Sequence, residues 1–236
     1  MIDGVKVLAI TLARGGSKII PRKNIVDING KPLLQYTTDE VAKSKYVDDY
    51  CLSTEDSEIQ AVGCKLGIPI IVKRPDDLAS DTATSYDAMK QAVDYLQGWD
   101  KYGYLVEVMV TNPLKIASDI DACIEKLHAT GADSVTSVVR IYDHHPSRVK
   151  YIQNDRLMSF FPEPIEARRQ DLSPPAYVRN GSIYAITSKA FLKYRSRVGA
   201  DARPYIMPQE RNVNIDEPAD LKLAELLIAG SIASRK

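Results

Sequence analysis

The segment Ala13-Arg-Gly-Gly-Ser-Lys-Ile-Ile-Pro-Arg-Lys-Asn24 gathers four cations, Arg14, Lys18, Arg22 and Lys23, with no acid among them. The rest of the chain offers no such excess, because its 31 basic and 31 acidic residues cancel. Gly15 and Gly16 let the backbone turn tightly and come close to a ligand. Successive N–H groups in a loop of this kind form an anion-binding nest. The loop follows the apolar run Val5–Leu12, which has the pattern of a parallel strand buried on both faces. In an open α/β sheet, ligands bind outside the carboxyl ends of the strands, and this loop leaves its strand at that edge. The chemistry implied is recognition of a polyphosphate. The spacing is neither GxxxxGK[ST] nor GxGxxG. The alternative is a solvated basic loop that binds nothing.

The elements that must hold this loop alternate in type. Strands are expected at Tyr50–Ser53, Pro69–Val72, Tyr104–Val110 and Ser134–Val139. Helices are expected from Pro32, over Glu55–Leu66 with Gly67 as the stop, over Thr84–Leu96 and over Ser118–His128. Asp81, Thr82 or Thr84 is a candidate cap for the third helix, and Ser118 or Asp119 for the fourth. Strands alternating with helices imply βαβ units, hence a Rossmann-like, mostly parallel sheet with helices on both faces. The pattern breaks over 141–177, where five prolines surround two short strand-like pieces, Val149–Gln153 and Leu157–Phe161. A surface loop of that length is uncommon. A hairpin-rich arm that packs on a second subunit is the more economical reading. It would be an excursion within one domain covering 1–236. Regular structure resumes with strands at Ser182–Thr187 and Asn212–Ile215, then a helix from Pro218 to about Ala229.

Composition excludes several classes. A general nucleic-acid binder carries a basic excess, absent here. No apolar run reaches the length of a membrane span, and Val5–Thr11 is too short and wrongly flanked for a signal peptide. Cys51, Cys64 and Cys123 are odd in number and far apart, and are expected to act as small buried or half-buried hydrophobes. The compartment expected is a reducing cytoplasm.

ARGGSK followed by IPRKN resembles the signature of the CMP-sialic acid synthetase (acylneuraminate cytidylyltransferase) family, which includes enzymes for legionaminic and pseudaminic acids. The likeness continues in order through Gly30-Lys-Pro-Leu-Leu34, Leu52-Ser-Thr-Glu-Asp56, Arg74-Pro-Asp-Asp-Leu-Ala-Ser-Asp-Thr82, His145-Pro146, Arg169-Gln-Asp-Leu172, Asn180-Gly-Ser-Ile-Tyr184 and Asn214-Ile-Asp216. The resemblance implies a cytidylyltransferase that joins CMP from CTP to an acidic nonulosonic acid, acting as a homodimer. It implies that Arg14 and Lys18 contact the triphosphate and, with Asp216, carry the catalysis. It places Gly15, Gly16, Ser17, Lys23, Asn24, Arg74, Ser80 and Asp81 around the nucleotide. It places Met109, Arg148, Arg169, Asn180 and Tyr184 around the sugar. Without it, Arg74 would be taken as a surface partner of Asp76 or Asp77, and His144 and His145 as structural.

Two departures stand out. The family's Asp-Ile-Asp is Asn214-Ile-Asp216 here, so the implied Mg²⁺ (or Mn²⁺) site keeps Asp216 as its main ligand and has a neutral amide as the other. The family's LQPTSPLR is Val108-Met-Val-Thr-Asn-Pro-Leu-Lys115, so Met109 replaces a sugar-contacting Gln and Lys115 replaces an Arg. The other readings are a Kdo-type or different sugar nucleotidyltransferase on the same fold, and a non-catalytic nucleotide-binding homologue.

Overall fold

The structure is a computed structural model describing residues 1–162 and 168–233. Its elements run β1 (Val7–Leu12), β2 (Asp27–Ile28), β3 (Lys31–Pro32), α1 (Leu33–Val41), β4 (Asp49–Thr54), α2 (Ser57–Lys65), β5 (Ile70–Lys73), α3 (Ser85–Tyr95), β6 (Tyr104–Val108) and α4 (Ala117–Thr130). They continue with β7 (Ser134–Ile141), β8 (Lys150–Gln153), β9 (Arg156–Ser159), β10 (Ala176–Thr187), α5 (Ser188–Tyr194), β11 (Ala202–Ile206) and α6 (Pro218–Ala233). Seven strands form one sheet in the order β11-β7-β10-β6-β1-β4-β5. All neighbours are parallel except β10, which runs antiparallel to both β6 and β7. The expected mostly parallel sheet is therefore present.

Side chains alternate across a strand, and β1 shows the consequence. Val7 and Ala9 join the core packed by α1, α2, α4 and α6, while Leu8 and Ile10 join a second core packed by α3 and α5. A strand buried on both faces must be apolar throughout, which is why β1 has no alternation in its sequence.

Several expectations need correction. Strand β1 starts at Val7; Val5 makes only an isolated bridge with Ile2. Asn212–Ile215 is not a strand. It crosses the carboxyl edge of the sheet, where the Ile215 N–H donates to the Thr111 carbonyl (2.8 Å). The outermost strand is instead β11, hidden in the sequence by Arg203 and Pro204. Proline is tolerated there because β11 pairs on one side only. Strand β10 starts at Ala176, six residues earlier than expected, because a register shift between Arg179 and Tyr184 breaks its alternation. Gly181, at φ +59°, supplies the left-handed turn that the shift needs. Helix α5 was not expected. Helix α4 begins at Ala117, so neither Ser118 nor Asp119 is its cap residue; Asp119 reaches back to accept the Ile116 N–H (2.9 Å). Thr84 does cap α3, accepting from the Asp87 N–H. Cys64 is exposed, contrary to expectation, whereas Cys51 and Cys123 are buried.

Strands β8 and β9 form an antiparallel hairpin. Its turn residues Asn154 and Asp155 both take positive φ, as a two-residue type I′ turn requires. Residues 163–167 of the excursion lie outside the described residues.

Candidate active site

The carboxyl edge of the sheet opens into a cleft of about 700 Å³. Most of the basic loop borders it: Arg14, Ser17, Lys18, Lys23 and Asn24 line the cleft, as do Arg74, Ser80 and Asp81 on the facing segment. Met109, Asn214 and Asp216 line it too. The fold thus brings to one cleft the residues expected at the nucleotide other than Gly15 and Gly16, the two expected metal ligands and one of the five expected sugar residues. Among the described residues, Arg148, Arg169, Asn180 and Tyr184 do not line this cleft.

The loop is held from beneath. The Ala13 N–H donates to the Ser53 carbonyl (3.1 Å), which ties the end of β1 to β4. Asn24, nearly buried, donates from Nδ2 to the Arg14 carbonyl (2.9 Å) and so fixes the turn that presents Arg14. Gly15 packs so tightly on Asp56 that a Cβ there would lie 2.3 Å from Oδ2. Its N–H donates to Glu55 Oε1 (2.7 Å).

Each cation of the loop has a carboxylate partner. Arg14 and Lys18 converge on Asp81 at 2.9 and 2.5 Å. Lys18 and then Arg14 hold that carboxyl below the usual range. Arg22 pairs with Asp56 and Glu58. Lys23 donates to Asp216 Oδ1 (2.9 Å) and to the Ile215 carbonyl (2.9 Å). The Asn214 amide donates to the other oxygen of Asp216 (2.5 Å).

Arg74 is buried and not a surface partner of Asp76 or Asp77. It donates from Nε to Ser53 Oγ (3.1 Å) and from Nη2 to the Ser53 carbonyl (2.6 Å). Burial pushes its guanidinium down, against the pull of Glu55 and Glu107. Ser80 donates to the Asp77 carbonyl (2.8 Å), shaping the turn that carries Asp81.

Lys115 is buried and clamps the segment after β6 that carries Met109. Its ammonium donates to the Met109 carbonyl (2.6 Å), to Thr37 Oγ1 (2.9 Å) and to the Asn112 carbonyl. Burial pushes its pKa down to about 7, against Asp119 and Glu40.

The other expected sugar residues lie outside the cleft lining. Tyr184 is buried on β10 beside Glu107 of β6. Asn180 is buried and accepts from Ser137 Oγ (2.7 Å). Arg169 pairs with Asp143 (2.7 Å) in the exposed excursion, and Arg148 belongs to a short helical turn at its base. His145, which bonds Ser147 Oγ (2.8 Å) and the Pro174 carbonyl (2.9 Å), has the structural role expected of it.

Sequence reasoning missed Glu107 and Thr111, which line the cleft, and Arg197, which pairs with Glu107. A lone acid in the apolar run Leu105–Val110 was the available signal for Glu107. Nothing local marked Arg197.

A family profile described as "Cytidylyltransferase" matches residues 8–220, a span that holds the whole cleft. The chain belongs to the cytidylyltransferase family. It is a nucleotidyltransferase. It is 31% identical over 225 residues to the pseudaminic acid cytidylyltransferase of Campylobacter jejuni subsp. jejuni serotype O:23/36 (strain 81-176), covering 94% of this chain and 96% of that protein. It is 29% identical over 222 residues to the N-acylneuraminate cytidylyltransferase of Streptococcus agalactiae serotype V, covering 92% of this chain and 52% of that longer one. Among solved structures, CMP:2-keto-3-deoxy-manno-octonic acid synthetase complexed with CTP shares the fold, with a TM-score of 0.72 at 19% identity, covering 96% of this chain and 99% of that one. No helix among the described residues is long and apolar enough to cross a membrane.

Proposed function

We propose that this cytidylyltransferase transfers CMP from CTP to the anomeric hydroxyl of an acidic nonulosonic acid of the sialic, legionaminic or pseudaminic type, releasing pyrophosphate. The observation that carries the reading is the cleft that Arg14 and Lys18 line together with Asp216 and Asn214. The names of the relatives supply the substrate class.

The anomeric oxygen attacks the α-phosphorus, the bond to the β-phosphate oxygen breaks, and the hydroxyl proton passes to solvent. No covalent nucleophile is needed. The protein holds the reactants in line and neutralises charge that grows on the leaving pyrophosphate. Arg14 and Lys18 take the β- and γ-phosphates, displacing Asp81. Arg74, fixed by Ser53, holds the cytosine end. Lys23 and Asn24 set the loop.

Asp216 and the amide oxygen of Asn214 are hard oxygen donors of the kind Mg²⁺ prefers. They number only two, and both Asp216 oxygens are engaged, one by Lys23 and the other by the Asn214 N–H, so an ion here would rest mainly on the substrate phosphates and would need the Asn214 amide turned to present its oxygen. Such an ion, Mg²⁺ or Mn²⁺, would add positive charge at those phosphates.

The exposed apolar residues of the excursion, among them Ile152, Leu157 and Phe160, suit a homodimer contact. The use of CTP fits a cytoplasmic enzyme.

The test is pyrophosphate release with CTP, Mg²⁺ and N-acetylneuraminate, legionaminate, pseudaminate, Kdo or no sugar. Release with one of the nonulosonic acids supports the reading. Release with Kdo alone would move the chain to the Kdo-type activity. Binding of CTP without turnover, restored by Asn214→Asp, would make it a non-catalytic homologue.

A further inference from the structure

Along β6, Leu105 faces the core built by α3 and α5, and side chains two residues apart share a face. Glu107 therefore projects toward the same side, as does Met109 beyond the strand's end, and both line the cleft. A carboxylate in that position is expensive, because only 2% of it is exposed. Burial raises its pKa and Arg197 opposes the rise. A buried charge persists where it is paired, and Arg197 provides the pair through Nη1 to Oε2. The guanidinium of Arg197 also lies over the Tyr184 ring, 4.0 Å from its centroid, and Nη1 is 3.9 Å from Met109 Sδ. Arg197 is thus fixed on three sides. Among the described residues, no hydrogen bond reaches Glu107 Oε1.

We infer that Glu107, oriented by Arg197, is a specificity-determining acceptor at the floor of the cleft that takes a hydrogen bond from an N–H or O–H donor of the acceptor sugar. The inference rests on the sugar-nucleotide reading above and extends it by naming the group that reads the sugar. Position separates Glu107 from the triphosphate. The Glu107 cluster comprises Arg197, Met109 and Tyr184, with Arg74 near enough to pull on the carboxylate, so it lies where the sugar meets the cytidine, whereas the phosphate cations Arg14 and Lys18 are gathered on Asp81. A sugar lacking a donor at that point would leave Glu107 Oε1 desolvated with no hydrogen bond, so the site rejects it.

The experiment is steady-state kinetics on the full chain, varying CTP and acceptor separately, for wild type, Glu107→Gln, Glu107→Leu and the double variant Glu107→Leu/Arg197→Met. The double variant removes both charges and so keeps a folded control if Glu107→Leu alone strands Arg197. Calorimetric CTP binding reports an intact cleft. The expected result is a fall of about 10- to 100-fold in kcat/KM for the acceptor in both Leu variants, the loss of a hydrogen bond to a charged group. Glu107→Gln, which keeps an acceptor oxygen, recovers part of it, and KM for CTP stays within about twofold. Acylamino acceptors compared with Kdo distinguish an amide N–H from a hydroxyl as the donor. A rise in KM for CTP with an unchanged acceptor KM would overturn the inference and assign Glu107 to the nucleotide. Unchanged kinetics in the double variant would also overturn it, with the function intact. Absence of turnover in the wild type would instead overturn the function, and the inference with it.

Discussion

At the Arg14 end of the cleft the charges are exposed and paired with one another; at the Glu107 end the carboxylate is buried and its partner half-buried. Arg14 and Asp81 are 38% and 50% exposed, whereas Arg197 and Glu107 are 24% and 2% exposed. Exposed ion pairs contribute little and exchange easily. A buried pair is costly to break by removing one partner. The first end is therefore suited to release its own carboxylate when a triphosphate arrives. The second is preformed and suited to discriminate. The basic loop needs a counter-charge while empty, and Asp81 provides one that the ligand can replace.

Arg14→Ala gives the largest expected effect. It should lower kcat/KM by on the order of 10²–10³, as does loss of one preorganised donor to developing charge. Pyrophosphate release measures it, and a change below about threefold would break the assignment of this end to the phosphates.

The clamp behind Met109 gives the next effect, in stability. The folded-state pKa of Lys115 is lowered to about 7, and an unfolded lysine titrates near ~10.4. Between those values the unfolded chain binds more protons at this site, so stability rises with pH across the window. The difference in urea midpoint between wild type and Lys115→Met should therefore shift in favour of wild type from pH 7 to about 9.5. A flat difference would mean that Lys115 titrates outside that range.

Asp81→Asn gives the smallest effect. Removing an exposed competitor should tighten CTP binding by up to about fivefold, as read by calorimetry. Weaker binding would show that Asp81 itself touches the nucleotide, and the contrast between the two ends would narrow.

The two ends also differed in how far the sequence disclosed them. The basic loop of the Arg14 end is one contiguous segment after β1, so its cations and glycines are neighbours in the chain. Arg74, Ser80 and Asp81, which the sequence led us to expect at the nucleotide, come from one further stretch. The Glu107 end is assembled from β6, β10 and the segment after α5, elements that meet only because β10 inserts antiparallel between β6 and β7. Arg197 is 90 residues from Glu107, and no local pattern links them. The same cause explains the misplaced last strand. Asn212–Ile215 has strand-like composition, yet it crosses the sheet edge and binds Thr111 there. The charged, proline-containing β11 takes the edge instead. Parallel strands with an all-apolar pattern were legible because burial on both faces leaves no other composition possible. The irregularity at Gly181 was not, because β10 takes five steps from Arg179 to Tyr184 against two on β7, and an odd excess inverts the alternation on which the reading depends.

The most direct test of the account is a crystal structure with a non-hydrolysable CTP analogue and the acceptor sugar bound together. The account predicts the triphosphate on Arg14 and Lys18 with Asp81 displaced, and the sugar ring donating to Glu107. A cytosine ring at Glu107, or a triphosphate away from the basic loop with Asp81 still paired, would contradict it.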